Sequence, residues 1–355
     1  MGDTVLIDPV RDSRWDEFVE NHPMGWLCHL SGWAKVLESS FEHMKGHYLA
    51  LLDEDRNTIR AAMPLFEVKS WLTGKRLVSI PFATLCDPLV SSSEDFDTLF
   101  ESALDLAKKL GIAHIEIRTH ESPSLIDNDK LGPISFYKHH YLPLDAEPEQ
   151  LKKSFHRACV RQKISKALKN GLTLKIADDE SDVHEFDQLH LMTRQRIGLP
   201  PQPYAFIKSI WTTFSKSGRV SLLLAKKDDK AIGGLILFKY KDRVSAEFGA
   251  SDHRYRDLCP NHYLFWETIK LACKEGYKVF DFGRTSPNNH GLMDFKSRWG
   301  TNVVDLPEYY YPKQASERFA EPESSMQRKL MGTVCRNVPS FVARQIGHFC
   351  YSHLG

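Results

Sequence analysis

No Cys-x-x-Cys pair occurs in the chain, and its seven cysteines (Cys28, Cys86, Cys159, Cys259, Cys273, Cys335 and Cys350) are odd in number and widely spread. That pattern excludes a disulfide framework and a cysteine-based zinc site and fits reduced thiols. No stretch reaches the ~20 apolar residues needed to span a bilayer. The opening residues, MGDTVLIDPVRDSRWDEF, hold no apolar segment of the signal-peptide type, so the expected location is the cytoplasm. Neither sign of charge dominates. The 47 basic and 46 acidic residues leave a net charge of +1, which argues against a dedicated nucleic-acid binder but leaves room for a local basic groove. There is no G-x-S-x-G and no Cys–His signature of a covalent nucleophile. His43 and His47 have i, i+4 spacing but no third ligand, so no metal is expected.

What is present is one pattern used twice. A chain of 355 residues is long enough for two domains of ~150 residues. In the first half, His47–Leu52 and Thr58–Val68 read as a hairpin, Arg76–Ile80 as a strand, Phe96–Leu110 as a helix closed by Gly111, and IAHIEIRTH as a strand. In the second half, Ser221–Lys226 and Lys230–Tyr240 form a hairpin, Arg243–Gly249 is a strand, and His262–Lys274 is a helix closed by Gly276. YKVFDFG then reads as a strand. ALDLAKKLGIAHIEIR and TIKLACKEGYKVFDFG share the order helix, glycine, strand, and the glycines suit helix C-caps. Between the halves a basic helix is expected over Glu149–Asn170, followed by helices at Val183–Ile197 and Pro203–Lys216. The core is expected to end with a strand at Val303–Tyr311, before a linker at Glu321–Ser325. The expected division is 1–145, 146–315, and a basic amphipathic tail over 316–355. The fold class is α+β: two tandem domains, each a mixed sheet flanked by helices, plus a helical tail.

The second half carries a more specific signal. Pro260, the helix after it, Gly276, the DFGR of Asp281–Arg284 and the G-x-x-x-F-K-x-x-W-G of Gly291–Gly300 follow in fixed order. Together they resemble the signature region of the FemAB-like branch of the N-acetyltransferase (GNAT) superfamily. That branch includes the Fem aminoacyltransferases of peptidoglycan cross-bridges and FemAB-like proteins associated with exopolysaccharide and protein sorting. LKKSFHRACVRQKISKALKNGLTL resembles the helix opening the second Fem domain, and SGWAKVLE a tryptophan-containing helix near the start of the first. The similarity covers roughly residues 1–312, and the chain lacks the coiled-coil arm that some Fem enzymes carry.

The resemblance implies transfer of an acyl or aminoacyl group to an amine of an envelope precursor, a nucleotide- or lipid-linked sugar of peptidoglycan or exopolysaccharide, at the inner face of the membrane. The alternative is a non-catalytic adaptor of the same fold in envelope polysaccharide assembly. Attack by an amine on a carbonyl needs a proton acceptor and a stabiliser for the oxyanion. The resemblance places Lys296, next to Phe295, at the acyl-donor site, where a fixed cation can meet the developing charge. Asp281 is a candidate general base, and Arg284 a candidate fork for phosphate or carboxylate, against an internal Asp281–Arg284 pair. By the same resemblance, Trp33, Lys35, Phe295 and Arg284 are expected to contact the substrate, Lys35 as an anchor for an acceptor phosphate, with Arg196 as a second anchor. Superfamily members that use acetyl-CoA present a glycine-rich turn before a helix. Here that stretch, Arg254 to Asn261, has no glycine. Arg254, Arg256 and Asn261, with Gly249 near a strand bulge, are the candidate donor contacts. No tightly bound cofactor is expected, and the donor is aminoacyl-tRNA or acyl-CoA, the missing glycines favouring the former.

Two basic segments remain. Lys152, Lys153, His156, Arg157, Arg161, Lys163, Lys166 and Lys169 fall in a run with no acidic residue between Glu149 and Asp178. A polyanion such as a tRNA acceptor stem or a lipid-linked pyrophosphate fits it, against the commoner solvated helix face. The tail has Arg328, Lys329, Arg336 and Arg344, no acidic residue from Ser324 on, and apolar residues at near-helical spacing broken by Pro339. It suits an anionic membrane surface or packing against the second domain.

Overall fold

The computed structural model describes residues 4–54, 56–72, 74–316 and 326–354. The chain forms two compact units. Unit 1 comprises Met1–Phe136, Asp305–Ser324 and Phe349–Gly355, and unit 2 comprises Tyr137–Val304 and Ser325–His348. The chain therefore passes from unit 1 to unit 2 and back twice, a path the division at 145 and 315 does not contain.

In unit 1, strands β1 (Thr4–Ile7), β2 (Met44–Leu52), β3 (Ile59–Ser70), β4 (Gly74–Val78) and β5 (Ile115–Arg118) lie side by side in that order. The returning strand, numbered β12 (Asn302–Tyr311), pairs antiparallel with β5. Helices α1 (Arg14–Asn21), α2 (Ser31–Ser40) and α3 (Ser93–Leu110) complete the unit. Ser92 caps α3 by accepting from the Asp95 N–H at 3.2 Å, acidic residues occupy its first turn and lysines its last, and Gly111 closes it at φ +65°. Phe96, Leu99, Phe100, Ala103 and Leu106 of that helix pack on Leu49, Leu51, Met63, Leu65, Ile115 and Ile117. The strand expected over IAHIEIRTH stops at Arg118. The buried Asp87 carboxylate accepts from the N–H groups of His120, Glu121 and Ser122 at 2.8–2.9 Å and curls the chain away.

In unit 2, the order is β6 (Gly132–Pro143, entering from unit 1), β11 (Val279–Thr285), β10 (Arg243–Ser251), β9 (Lys230–Tyr240), β8 (Val220–Lys227) and β7 (Thr173–Ile176). Its helices are α4 (Pro148–Ser154), α5 (Gln162–Lys169), α6 (Glu180–Ile197), α7 (Tyr204–Phe214), α8 (Pro260–Lys274) and α9 (His290–Ser297). The basic segment is not the single helix expected over Glu149–Asn170. Phe155 leaves the helix to pack between Trp299 and Trp266, with ring centroids at 5.2 and 6.2 Å. His156 then caps a wide π-type turn, Arg157–Arg161, that leads into α5. Val160, Ile164 and Ala167 face the core with Trp266, Phe280, Phe282 and Trp299.

The tail forms α10 (Met326–Asn337) and α11 (Ser340–Tyr351), separated at Pro339. Within unit 2, Gln195 donates to the Val338 carbonyl at 2.9 Å and Arg344 pairs with buried Asp187 at 2.6 Å. The expected linker Glu321–Ser325 lies outside the described residues, as do the side chains of Arg328 and Lys329.

Candidate functional site

Strands β10 and β11 run parallel but pair at only three positions, Arg243↔Val279, Val244↔Phe280 and Ser245↔Asp281. Where pairing stops, both strands carry a bulge. The register of β10 on β9 jumps from Ala246↔Leu237 to Phe248↔Ile236, leaving Glu247 as the extra residue. The register of β11 on β6 jumps from Asp281↔Tyr141 to Gly283↔His140, leaving Phe282 extra. Bulges re-aim side chains and end pairing, and Gly283 at φ +73° supplies the left-handed backbone this one needs.

Three of the expected site residues gather here. Lys296 projects from α9 and is only 5% exposed. Its Nζ donates to the carbonyls of Gly283 at 2.9 Å and Arg284 at 3.0 Å. An ammonium has three donors, so one N–H remains beyond these two bonds. Burial pushes the amine down to about 7, against the opposing charges of Asp281 and Glu247. Asp281 is fully buried. It accepts from His139 Nε2 at 2.7 Å, Arg243 at 3.3 Å and the Gly283 N–H at 2.6 Å. Burial alone would raise this carboxyl, but the His139 ring, Arg243 and the Gly283 N–H outweigh it and hold Asp281 below the usual carboxylate range. Arg284 lies over the Tyr137 ring, 4.7 Å from its centroid. Asp281 thus takes His139 and Arg243 as partners where the sequence offered an Asp281–Arg284 pair.

Glu247 joins the cluster without any motif in the sequence to mark it. It is partly buried, and Ser245 Oγ donates to its carboxylate at 2.6 Å. Burial raises its pKa to about 7, Asp281 pushes the same way, and Ser245, Lys296 and Arg284 pull against it. Its one signal in the sequence is a lone carboxylate inside the apolar run Val244–Ala250. The bulge that aims it depends on tertiary structure. His140 is a second unmarked residue. It is fully buried, contacts Thr301 and Met293, and is lowered to about 4 by burial and then by Lys296, so the ring is neutral at pH 7.

The other expected residues sit apart from this cluster or serve packing. Phe295 packs edge-on against His262 and Phe265 at 5.4 and 5.5 Å, beside fully buried Trp299. Arg254 forks onto Asp252 with bonds down to 2.6 Å, Arg256 bonds His253, and Asn261 and Gly249 are exposed. The glycine-free turn still reaches a left-handed conformation, at Cys259 with φ +60°, followed by Pro260 in the first turn of α8. Arg196 is exposed in the last turn of α6. In unit 1, Lys35 is exposed on α2, whereas Trp33 is fully buried. That burial corrects the expectation of a ligand contact, since Trp33 seats the helix in the core. Among the described residues, the one acidic or histidine cluster with metal-ligand spacing is Asp178, Asp179 and Asp182, of which Asp182 is paired with Lys175 at 2.7 Å.

Residues 154–297 match the model of an acetyltransferase (GNAT) domain. Over most of its length the chain is similar to lipid II:glycine glycyltransferases. It is 23% identical to that of Staphylococcus haemolyticus, over 91% of this chain and 99% of the relative, and 22% identical to that of Staphylococcus aureus strain USA300, over 90% and 98%. It superposes on the crystal structure of FemX with a TM-score of 0.69 at 18% identity, covering 89% of this chain and 99% of that one. A tandem GNAT protein from clavulanic acid biosynthesis superposes with a TM-score of 0.56 at 11% identity, covering 87% and 98%. The architecture is α+β and GNAT-like, a mixed sheet flanked by helices, in a class of acyl- and aminoacyltransferases. Within that class, the chain is similar to the FemAB-like family. Among the described residues, no helix is long and apolar enough to cross a membrane.

Proposed function

We propose that the chain transfers an aminoacyl group from aminoacyl-tRNA to the amine of a lipid-linked peptidoglycan precursor. The observation that carries this reading is that Glu247 and Lys296 lie within electrostatic reach of one another where β10 and β11 part. One is a carboxyl raised to about 7 and the other an amine lowered to about 7, values suited to acid–base work near neutrality. In this reading ionised Glu247 takes a proton from the acceptor ammonium or attacking amine. The amine nitrogen bonds the ester carbonyl carbon, and the third N–H of Lys296 meets the oxyanion. Collapse breaks the ester C–O bond, and the proton passes to the ribose oxygen that leaves. Asp281 is a positioning residue rather than a base. Its carboxylate is saturated by His139, Arg243 and Gly283, and it orients the strand whose carbonyls hold Lys296.

Two features support tRNA as the donor. The stretch from Arg254 to Asn261 lacks the glycines of a pyrophosphate cradle. In addition, Arg157, Gln162, Ser165, Lys166 and Lys169 line an open recess on one face of the basic segment. That segment starts beside the Lys296 helix, for the His156 N–H donates to the Arg298 carbonyl at 2.9 Å. The acceptor assignment draws on the similarity to lipid II:glycine glycyltransferases. Exposed Lys35 in unit 1 and exposed Arg196 in unit 2 each remain a proposed phosphate contact.

The test is turnover of purified protein with charged tRNA or acetyl-CoA as donor, and with lipid II or an exopolysaccharide amino sugar as acceptor. Product from charged tRNA and lipid II, abolished in Lys296→Ala, is the expected result. Product from acetyl-CoA alone would move the reading to an acyl-CoA enzyme. No product from any pair, with Lys296→Ala indistinguishable from wild type in cells, would favour an adaptor.

A further inference from the structure

In unit 1 the turn between β3 and β4 carries Trp71 and Leu72, which are 79% and 62% exposed. Burying an aromatic ring of this size is strongly favourable, so a tryptophan held in water at a turn calls for a partner. The turn is tied down from beneath. Ser70 is buried, its hydroxyl accepts from the Leu72 N–H at 3.1 Å and lies 3.2 Å from His353 Nδ1, and Arg76 donates to the His353 carbonyl at 3.3 Å. Phe349, 49% exposed, meets His353 at 4.9 Å and Trp71 at 6.4 Å, and Leu354 is 47% exposed. Four large apolar side chains thus stand outward on a fixed base. Lys69 and Lys75 are exposed on either side of the turn, Lys69 lying 3.4 Å from the buried Glu67 carboxylate, and the stretch 68–86 itself holds no acidic residue.

We infer that this turn, with the chain's last residues, docks on an anionic lipid bilayer. An aromatic ring at the tip, flanked by lysines, matches the division of a membrane interface into an acyl boundary and a layer of negative headgroups. Sequence pattern offers a membrane contact in the tail alone. The structure adds the β3–β4 turn, which lies far from the tail along the chain. This inference does not depend on the identity of the acyl donor or acceptor.

The test is co-sedimentation of the full chain with vesicles of phosphatidylcholine, with and without phosphatidylglycerol, alongside tryptophan emission. Wild type is expected to bind the anionic vesicles with a blue shift that Trp71→Ser removes. The double change Trp71→Ser with Leu72→Ser is expected to weaken partitioning by about ten- to a hundredfold, and Lys75→Glu by roughly tenfold. All these positions are exposed, and unchanged circular dichroism checks that the variants fold. Equal binding of the double variant and wild type overturns the assignment, as does no binding to either vesicle. A Trp71-dependent dimer in solution, without lipid binding, would give the patch to a second copy of the chain and also overturn it.

Discussion

Glu247 and Lys296 are displaced from their ordinary ionisation in opposite directions and arrive at the same value, about 7, with burial as the largest cause for each. Each also opposes the other's shift, because a charged partner favours the charged form.

The consequence for rate is a bell centred near pH 7. Glu247 must be ionised to accept a proton, so its contribution is lost as pH falls through about 7. Lys296 must be an ammonium to meet the oxyanion, so its contribution is lost as pH rises through about 7. Glu247→Gln should lower turnover and erase the acid limb. Lys296→Arg keeps its charge at all working pH and should erase the alkaline limb. Single-turnover rates between pH 5 and 9 check both, and a limb that persists in its variant would remove that residue from the reaction.

Lys296→Ala should reduce turnover by about ten- to a thousandfold, the usual cost of losing an oxyanion donor. Because the residue acts in the transition state, KM for the acceptor should change little. Steady-state kinetics with matched circular dichroism separate this from a folding defect.

Asp281→Asn should cost stability as well as rate. It leaves Arg243 facing a neutral amide inside the protein, and breaking one side of a buried pair costs about 3–5 kcal/mol. The folded carboxyl is held below its unfolded value. Its contribution is therefore present above the unfolded pKa and lost only as pH falls through the lower, folded one. Denaturant midpoints at neutral pH should fall for the variant, and the difference from wild type should shrink in strong acid.

The charge-reversed triple variant Arg161→Glu, Lys166→Glu and Lys169→Glu should weaken tRNA binding without altering the vesicle binding assigned to Trp71. No ion pair engages these cations among the described residues. For every phosphate the variant no longer neutralises, the slope of log affinity against log salt should fall by about one. Fluorescence anisotropy over a salt series measures this, and an unchanged slope would place the RNA elsewhere.

Periodic features are legible in the sequence. The hairpin from β8 to β9, the helix α8 and the capping glycines Gly111 and Gly276 follow from local pattern, and all are present. Lys296, Asp281 and Arg284 are also legible, through a motif. What stays hidden depends on partners distant in sequence. Glu247 reads as one residue of an alternating strand until the bulge turns it. Trp33 reads as a substrate contact on a short helix until the unit 1 core closes over it. Asp281 reads as a free base until His139, 142 residues away, supplies its hydrogen bond. The break at Phe155 in the basic segment has the same origin, since only the folded chain brings Trp266 and Trp299 to either side of that ring.

The return of the chain to unit 1 has a bearing on synthesis. β5 pairs with β4 on one side, but its other neighbour is β12, where Tyr311 through Glu308 meet Ile115, Glu116, Ile117 and Arg118. A nascent chain therefore carries an unfilled sheet edge through the making of residues 137–304 of unit 2. Partly buried Arg118, 3.9 Å from Glu308, waits equally long for that partner. Unit 1 is translated first and finished last, so its halves cannot be separated by one cut in the gene. An independently expressed unit 1 would need its later segments, from 305 and from 349 on, joined to it by designed connections.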